Sequence, residues 1–195
     1  MPTLAVRVER WDVAGAFTIA RGAKTYVDVV VPEIAGEGAT GRGEGTPIYY
    51  HGESAESVAA QIEGVRGAIE AGAGLEALGG LLPRGAARNA LDSALRDWQA
   101  RRSGISAWQA AGLAAPGPLT TAFTLSLAEP ARMEADARAA AGRYPLLKLK
   151  LAGEGDVERV AAVRRGAPEA RLIVDANEAW TGRDVAAEAR ALAAF

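Results

Sequence analysis

The spacing of apolar residues indicates three strands at the start of the chain. Leu4, Val6 and Val8 alternate with polar residues, and residues 26–34 are rich in β-branched side chains, both of which are typical of β-strands. Glycines and turn-forming residues fill positions 36–47 and lead to a third extended segment. The simplest arrangement of three such strands is an antiparallel meander.

Two helices are predicted to follow. Ser54 is a residue type favoured as a helix N-cap, and apolar side chains recur at helical spacing after it until Gly72. The second helix is expected to begin near Pro83 and to run to about Arg102, with alanine, leucine and tryptophan side chains on one face. Residues 104–118 are then the predicted linker to the rest of the chain.

The remainder of the chain, residues 118–195, alternates strictly between strand and helix patterns. Its predicted elements are strand 121–127, helix 130–141, strand 146–151, helix 156–165, strand 171–175 and helix 181–194. Three βα units of this length are the opening of a parallel α/β domain, either a doubly wound sheet or a barrel. Because three strands cannot close a barrel, we expect an incomplete domain.

Composition and charge exclude several functional classes. With 195 residues, 49% of them hydrophobic, the chain is long enough for a packed core. Its 22 basic and 24 acidic residues are dispersed, so we expect it to bind neither nucleic acid nor a membrane. The absence of cysteine excludes disulfides and thiolate metal sites. Arg7, Glu9, Arg10 and Asp12 place charges where a signal peptide needs an apolar run, so we expect a cytoplasmic protein.

Three charged residues are embedded in two of the predicted parallel strands. Lys148 and Lys150 lie in the apolar run 145–151, and Asp175 ends the apolar run 171–175. Residues two apart on a strand share a face, so both ammonium groups point the same way. Charges rarely enter buried strands without a reason. The pattern favours carbanion chemistry, in which a lysine base lies beside a metal-binding carboxylate.

Two simpler interpretations of these residues stay open at this point. Lysines on an edge strand often face solvent and prevent aggregation, which would explain Lys148 and Lys150 without any chemistry. An aspartate at the end of a strand in a βα unit often caps the next helix, which would explain Asp175.

Six segments together resemble the enolase superfamily, muconate-lactonizing subgroup, and within it the dipeptide epimerases of the L-Ala-D/L-Glu type. They are IARGAKTYVDVVV (19–31), GEGTPIYYHGES (43–54), NALDSALRDWQAR (89–101), TTAFTLSL (120–127), LLKLKL (146–151) and LIVDANEAW (172–180). The resemblance implies an α+β capping domain, residues 1–117, followed by the first part of a modified (β/α)7β barrel, residues 118–195. It also implies an active site at the C-terminal ends of the barrel strands.

The same resemblance implies a Mg²⁺-dependent epimerisation of dipeptides and a role for each candidate residue. Lys150 would accept the substrate α-proton, which leaves a metal-stabilised enediolate, and Lys148 would contact the substrate carboxylate. Asp175 would be the first of three carboxylate ligands to Mg²⁺. Thr124, the second threonine of a T-x-x-T motif, would line the substrate site.

The resemblance also implies which residues recognise the substrate side chain and which parts of the active site this chain lacks. The loop that contains Arg21 and Lys24 would recognise the substrate side chain. The other metal carboxylates and the lysine of the opposite face would lie beyond Phe195, so we expect the chain to be inactive alone. Alternative reactions in the same superfamily are those of o-succinylbenzoate synthase, N-acylamino acid racemase and muconate cycloisomerase. A noncatalytic fragment that binds a partner is a further alternative, and a longer form could be a homo-oligomer.

Overall fold

The predicted three-stranded sheet forms in the first part of the chain, but its third strand lies within the glycine-rich segment 36–47 and not after that segment, where it was predicted. The computed structural model describes residues 1–19 and 22–195. In their order across the sheet, the strands are β1 (Thr3–Ile19), β2 (Gly22–Gly36) and β3 (Ala39–Arg42). Strands β2 and β3 pair antiparallel, with Glu33 opposite Arg42. The first two strands are longer than the alternation of apolar residues indicated.

Five helices follow this sheet in the first half of the chain. They are α1 (Ala55–Gly64), α2 (Arg66–Glu70), α3 (Leu78–Leu81), α4 (Ala86–Ser103) and α5 (Ala107–Ala110), with 3₁₀ turns at Tyr49–His51 and Leu75–Ala77. Ser54 caps α1 as predicted, because its hydroxyl accepts the Ser57 amide and the Ser57 hydroxyl accepts the Ser54 amide. Helix α4 begins at Ala86 instead of Pro83, since the Glu53 carboxylate accepts the Ala86 amide at 2.8 Å.

Glycines allow strand β3 and the segment after it to lie directly on helix α4. A Cβ atom at Gly41 would lie 2.1 Å from the backbone nitrogen of Trp98, and one at Gly43 would lie 1.9 Å from the Ala90 carbonyl oxygen. Only a residue without a Cβ permits backbones to approach this closely. The first hydrophobic core includes the fully buried residues Val30, Ile34, Val58, Ile62 and Leu91.

The second half of the chain forms the three predicted βα units. Their strands are β4 (Phe123–Leu125), β5 (Leu146–Lys150) and β6 (Arg171–Asp175), which pair in parallel in this order. Their helices are α6 (Pro130–Ala141), α7 (Asp156–Gly166) and α8 (Val185–Leu192). An α+β region followed by the start of a parallel barrel agrees with the predicted fold class.

The second core lies mainly around strand β5. Leu147 and Leu149 are fully buried and belong to one cluster with residues of α6 and α7. The expectation that residues 171–175 form a buried strand is wrong, because Ile173 is 42% exposed and Val174 is 40% exposed. Strand β6 pairs with β5 along one edge, and no further described strand pairs with its other edge.

The contacts divide the chain into two compact units. The first unit is Met1–Asp12 with Tyr26–Gly117, and the second is Val13–Thr25 with Pro118–Phe195. Residues 13–25 therefore group with the second unit and not, as expected, with the capping domain. The reason lies in part in the Thr18 backbone, whose carbonyl accepts the Leu127 amide at 3.1 Å. No helix among the described residues is both long and apolar enough to cross a bilayer.

Candidate active site

The strand register places four candidate side chains on one face of the parallel sheet. Thr124 of β4 is opposite Lys148 of β5, and Lys150 is opposite Asp175 of β6. Partners in register on parallel strands point to the same side, and so do residues two apart on one strand. All four side chains therefore share one face, close to the C-terminal ends of the strands.

The two lysines share a single carboxylate oxygen. The Nζ atoms of Lys148 and Lys150 each lie 2.8 Å from Oδ2 of Asp175. The side chain of Lys150 is only 8% exposed, whereas those of Lys148 and Asp175 are 33% and 28% exposed. A solvated lysine on an edge strand would not be buried in this way. The simpler interpretation of the lysine pair thus does not account for Lys150.

Hydrogen bonding keeps Asp175 charged. Partial burial disfavours the carboxylate form, but hydrogen bonds from Lys148 and Lys150 and from the Asn177 backbone amide outweigh that effect. Together they hold the pKa of Asp175 well below its usual range. Asp175 is not the cap of the next helix, because Asp184 precedes α8 and its Oδ1 accepts the Ala187 amide at 3.0 Å.

Phe17 is a neighbour of the site that the sequence did not indicate. Its ring centroid lies 5.5 Å from Nζ of Lys150, within the range of a cation–π contact. Phe17 belongs to the tip of strand β1, which groups with the second unit. Nothing in the local sequence links it to a residue more than a hundred positions away, so only the fold could have identified it.

Of the two loop residues predicted to set specificity, the structure describes only Lys24. Arg21 lies outside the described residues. Lys24 lies on strand β2, in the part of that strand that belongs to the second unit, and its side chain is exposed. Substrate recognition by these two residues stays a prediction.

Thr124 also lines an open groove beside strand β4. The groove has a volume of about 660 Å³, and Phe17, Ser126, Arg143 and Tyr144 contribute to its walls. Strand β4 pairs only with β5 among the described strands, so the groove follows its unpaired edge. Residues of helix α6 form its other wall, and neither of the two lysines nor Asp175 contributes to the lining.

Two protein-family models match this chain and show to which family it belongs. Residues 1–112 match the N-terminal domain of mandelate racemase / muconate lactonizing enzyme, and residues 131–195 match the enolase C-terminal domain-like family. The chain belongs to the mandelate racemase / muconate lactonizing enzyme family. The predicted membership of the enolase superfamily is thereby confirmed.

Several members of this family are similar to the chain over nearly all of its length. An L-Ala-D/L-Glu epimerase of Escherichia coli (strain K12) is 43% identical over 99% of the chain and 60% of the epimerase. An enolase family member from Agrobacterium tumefaciens with homology to dipeptide epimerases, solved with sodium and L-Ala-L-Glu, is 44% identical. The superposition covers 97% of this chain and 58% of the Agrobacterium protein, with a TM-score of 0.90.

A more distant member was solved with magnesium and a dipeptide. It is the dipeptide epimerase of Enterococcus faecalis V583, complexed with Mg and L-Leu-L-Tyr, and it is 29% identical to this chain. The superposition covers 98% of this chain and 58% of the epimerase, with a TM-score of 0.85. The chain thus spans about three fifths of the length of the epimerases that it matches.

The donor atoms at the site match Mg²⁺ in kind but not in number. Asp175 supplies a carboxylate, and the buried Oδ1 of Asn177 has no hydrogen-bond partner among the described residues. Mg²⁺ favours six oxygen ligands in octahedral geometry. The described part of the chain contains no cluster of three side chains that could hold a metal ion. These residues alone therefore do not form a complete Mg²⁺ site.

Proposed function

We propose that this chain carries one side of the active site of a dipeptide epimerase that acts on L-Ala-D/L-Glu-type substrates. The observation that supports this most is the pair of lysines, Lys148 and Lys150, on one oxygen of Asp175. The pair occurs in a chain that is 43% identical, over 99% of its length, to an L-Ala-D/L-Glu epimerase. In that role, the protein inverts the α-carbon of the C-terminal residue of a dipeptide.

Lys150 is the proposed base for one face of the α-carbon. It must present a neutral amine, take the α-proton onto Nζ and later return that proton or pass it to solvent. Its side chain is only 8% exposed, beneath the ring of Phe17, so the amine is largely shielded from competing water. Lys148 is the more exposed of the two lysines, and its ammonium is placed to hold the substrate carboxylate.

Loss of the α-proton next to a carboxylate leaves a dianionic enediolate, which needs nearby positive charge. Lys148 supplies one such charge from this chain. A bound Mg²⁺ would supply the rest, with Asp175 as one of its ligands. The remaining ligands and the base for the opposite face are not among the described residues, so we propose that the 195-residue chain is inactive alone.

Substrate selection is proposed to involve the hairpin tip and strand β4. Thr124 is in register with Lys148 and lines the groove along strand β4. A threonine hydroxyl there can hydrogen-bond the substrate backbone without adding charge. Arg21 and Lys24 carry the positive charge expected for recognition of an acidic side chain such as glutamate.

The test compares the chain with a completed protein. We define the completed protein as this chain continued by the part of the Escherichia coli epimerase that lies beyond the matched region. Exchange of the glutamate α-proton of L-Ala-L-Glu with solvent deuterium is followed by NMR, because one working base gives exchange even where inversion fails. The completed protein should catalyse exchange, should lose it when Mg²⁺ is chelated, and should regain it when Mg²⁺ is restored.

Controls separate this proposal from its alternatives. The 195-residue chain alone should give no exchange, and the Arg101→Ala variant of the completed protein, altered at an exposed ion pair with Asp97 of the first unit, should keep full activity. Exchange by the chain alone would contradict the proposed incompleteness. Activity of the completed protein on an N-acylamino acid but not on any dipeptide would move the proposal to a different reaction of the same superfamily.

A further inference from the structure

Asp156 is a buried carboxylate outside the lysine pair. It begins helix α7 and is 2% exposed. Its Oδ1 accepts the Ala152 amide, and its Oδ2 accepts both the Gly153 amide and the indole N–H of Trp180, each at 2.9 Å. The Arg159 guanidinium lies 3.3 Å from Oδ1. A carboxylate this deeply buried is stable only with such a set of donors.

Trp180 connects this carboxylate with the segment that follows Asp175. The loop after β5 and the loop after β6 are in contact there, because a Cβ at Gly153 would lie 3.1 Å from the Ala179 carbonyl oxygen. The Leu151 amide also donates to the Asp175 carbonyl at 3.0 Å. The two loops therefore meet at the same end of the sheet as the lysine pair.

The segment 176–180 adopts a backbone that needs support from outside. Asn177 and Glu178 have φ values of 48° and 68°, in the left-handed region that side-chain-bearing residues rarely occupy. The Asn177 amide donates to Oδ1 of Asp175 at 3.0 Å. Movement of this segment would therefore remove a hydrogen bond from the site carboxylate.

We propose that Asp156 is a positioning residue. It acts through the Trp180 indole to hold segment 176–180, and with it the hydrogen bond from Asn177 to Asp175. A residue that only fixed the loop before α7 would need the Ala152 and Gly153 amides but not Trp180. The consequence for epimerisation rests on the proposed function, whereas the consequence for the loop does not.

Hydrogen exchange of the 195-residue chain tests the loop. Trp180→Phe removes the indole N–H but keeps an aromatic ring, and it should accelerate amide exchange in residues 176–183 about tenfold. Trp98→Phe is the matched control, since it removes an indole hydrogen bond to the Gly36 carbonyl, 3.1 Å long, in the first unit. The control should leave exchange in residues 176–183 unchanged. An unchanged rate in Trp180→Phe would overturn the proposal.

A double substitution distinguishes action through Trp180 from general stabilisation. Asp156→Ala removes both carboxylate oxygens and should also accelerate exchange in residues 176–183, and Trp180→Phe should then add less than about twofold, because both changes break the same bond. Fully additive accelerations would overturn the proposal. If Asp156→Ala does not fold, Trp180→Phe and its control still decide the question.

Kinetics of the completed protein provide a readout that loop stability alone would not move. Trp180→Phe should lower kcat for α-proton exchange about tenfold and leave KM within about twofold, while Trp98→Phe should change neither. An unchanged kcat in a variant with a mobile loop would contradict the positioning role. If the unaltered completed protein shows no exchange at all, the proposed function fails, and the hydrogen-exchange result still decides whether Asp156 holds the loop.

Discussion

The C-terminal half of strand β2, in the first unit, and strand β6, in the second unit, differ in how completely they are covered. In the first unit, Ile34 of β2 is fully buried, as is Ile62 of the helix layer. In the second unit, Leu149 of β5 is equally buried, but Ile173 and Val174 of β6 are about two fifths exposed. An apolar strand pattern therefore indicates that a strand is suited to burial, not that neighbouring elements bury it. In this chain such neighbours cover β5 but leave β6 partly exposed.

The largest effect is expected where the first unit is packed most tightly. Gly43→Ala would place a Cβ 1.9 Å from the Ala90 carbonyl oxygen, and because both partners are backbone, neither can move aside. We expect a loss of about 4 kcal/mol in the free energy of unfolding, measured by urea denaturation. Gly80→Ala is the matched control, because its Cβ would meet nothing within 4 Å. Equal losses in both variants would show that the close approach is not what requires glycine.

A pair of isoleucine truncations sharpens the contrast between the units. Ile62→Ala empties a fully buried position and should cost about 3 kcal/mol. Ile173→Ala removes the same atoms from a side chain that is 42% exposed, so its cost should be less than half as large. Hydrogen exchange resolved by segment assigns each loss to its own unit. Similar costs would mean that β6 is covered in solution.

Removal of the site carboxylate should destabilise the second unit in a pH-dependent way. Asp175→Asn leaves Lys148 and Lys150 without their shared charged acceptor, and we expect a loss of about 2 kcal/mol at pH 7. Because the pKa of Asp175 is lowered in the folded state, its contribution is complete above about pH 4 and is lost as the pH falls through the folded-state pKa. The difference between wild type and variant in urea denaturation should therefore shrink below about pH 4.

A surface carboxylate provides the comparison for that experiment. Asp92 forms an exposed i,i+4 ion pair with Arg96 in helix α4, and Asp92→Asn should cost no more than about 0.5 kcal/mol. A larger loss in Asp92→Asn than in Asp175→Asn would contradict the special status of the carboxylate beside the lysines.

The smallest effect on stability is expected at the edge of the second unit. Ile173→Glu places a carboxylate on a side chain that is already 42% exposed and is in register with Lys148, so the free energy of unfolding should change by less than about 0.5 kcal/mol. Self-association, measured by light scattering, should decrease because a charged side chain on an edge strand opposes strand pairing. Strong destabilisation would instead reveal a covered position.

The sequence predicted the order of elements well because its signals were local. The Ser54 cap, the βα alternation and the shared face of Lys148 and Lys150 depend on residues a few positions apart. Burial of β6 was predicted wrongly, because burial depends on elements distant in the chain.

Other features of the site could not be predicted for the same reason. The contact of Phe17 with Lys150 joins a hairpin tip to a strand more than a hundred residues later. The hydrogen bond between Asp156 and Trp180 likewise connects two different loops. Such contacts are set by the tertiary fold, which no local pattern of residues records.

The role of Lys150 as a base is tested most directly by the stereochemistry of exchange in the completed protein. If Lys150 serves one face of the α-carbon, Lys150→Ala should slow exchange of one epimer of the dipeptide by about a hundredfold or more. The other epimer should lose far less, because the opposite base is intact. Equal residual exchange from both epimers would contradict the account.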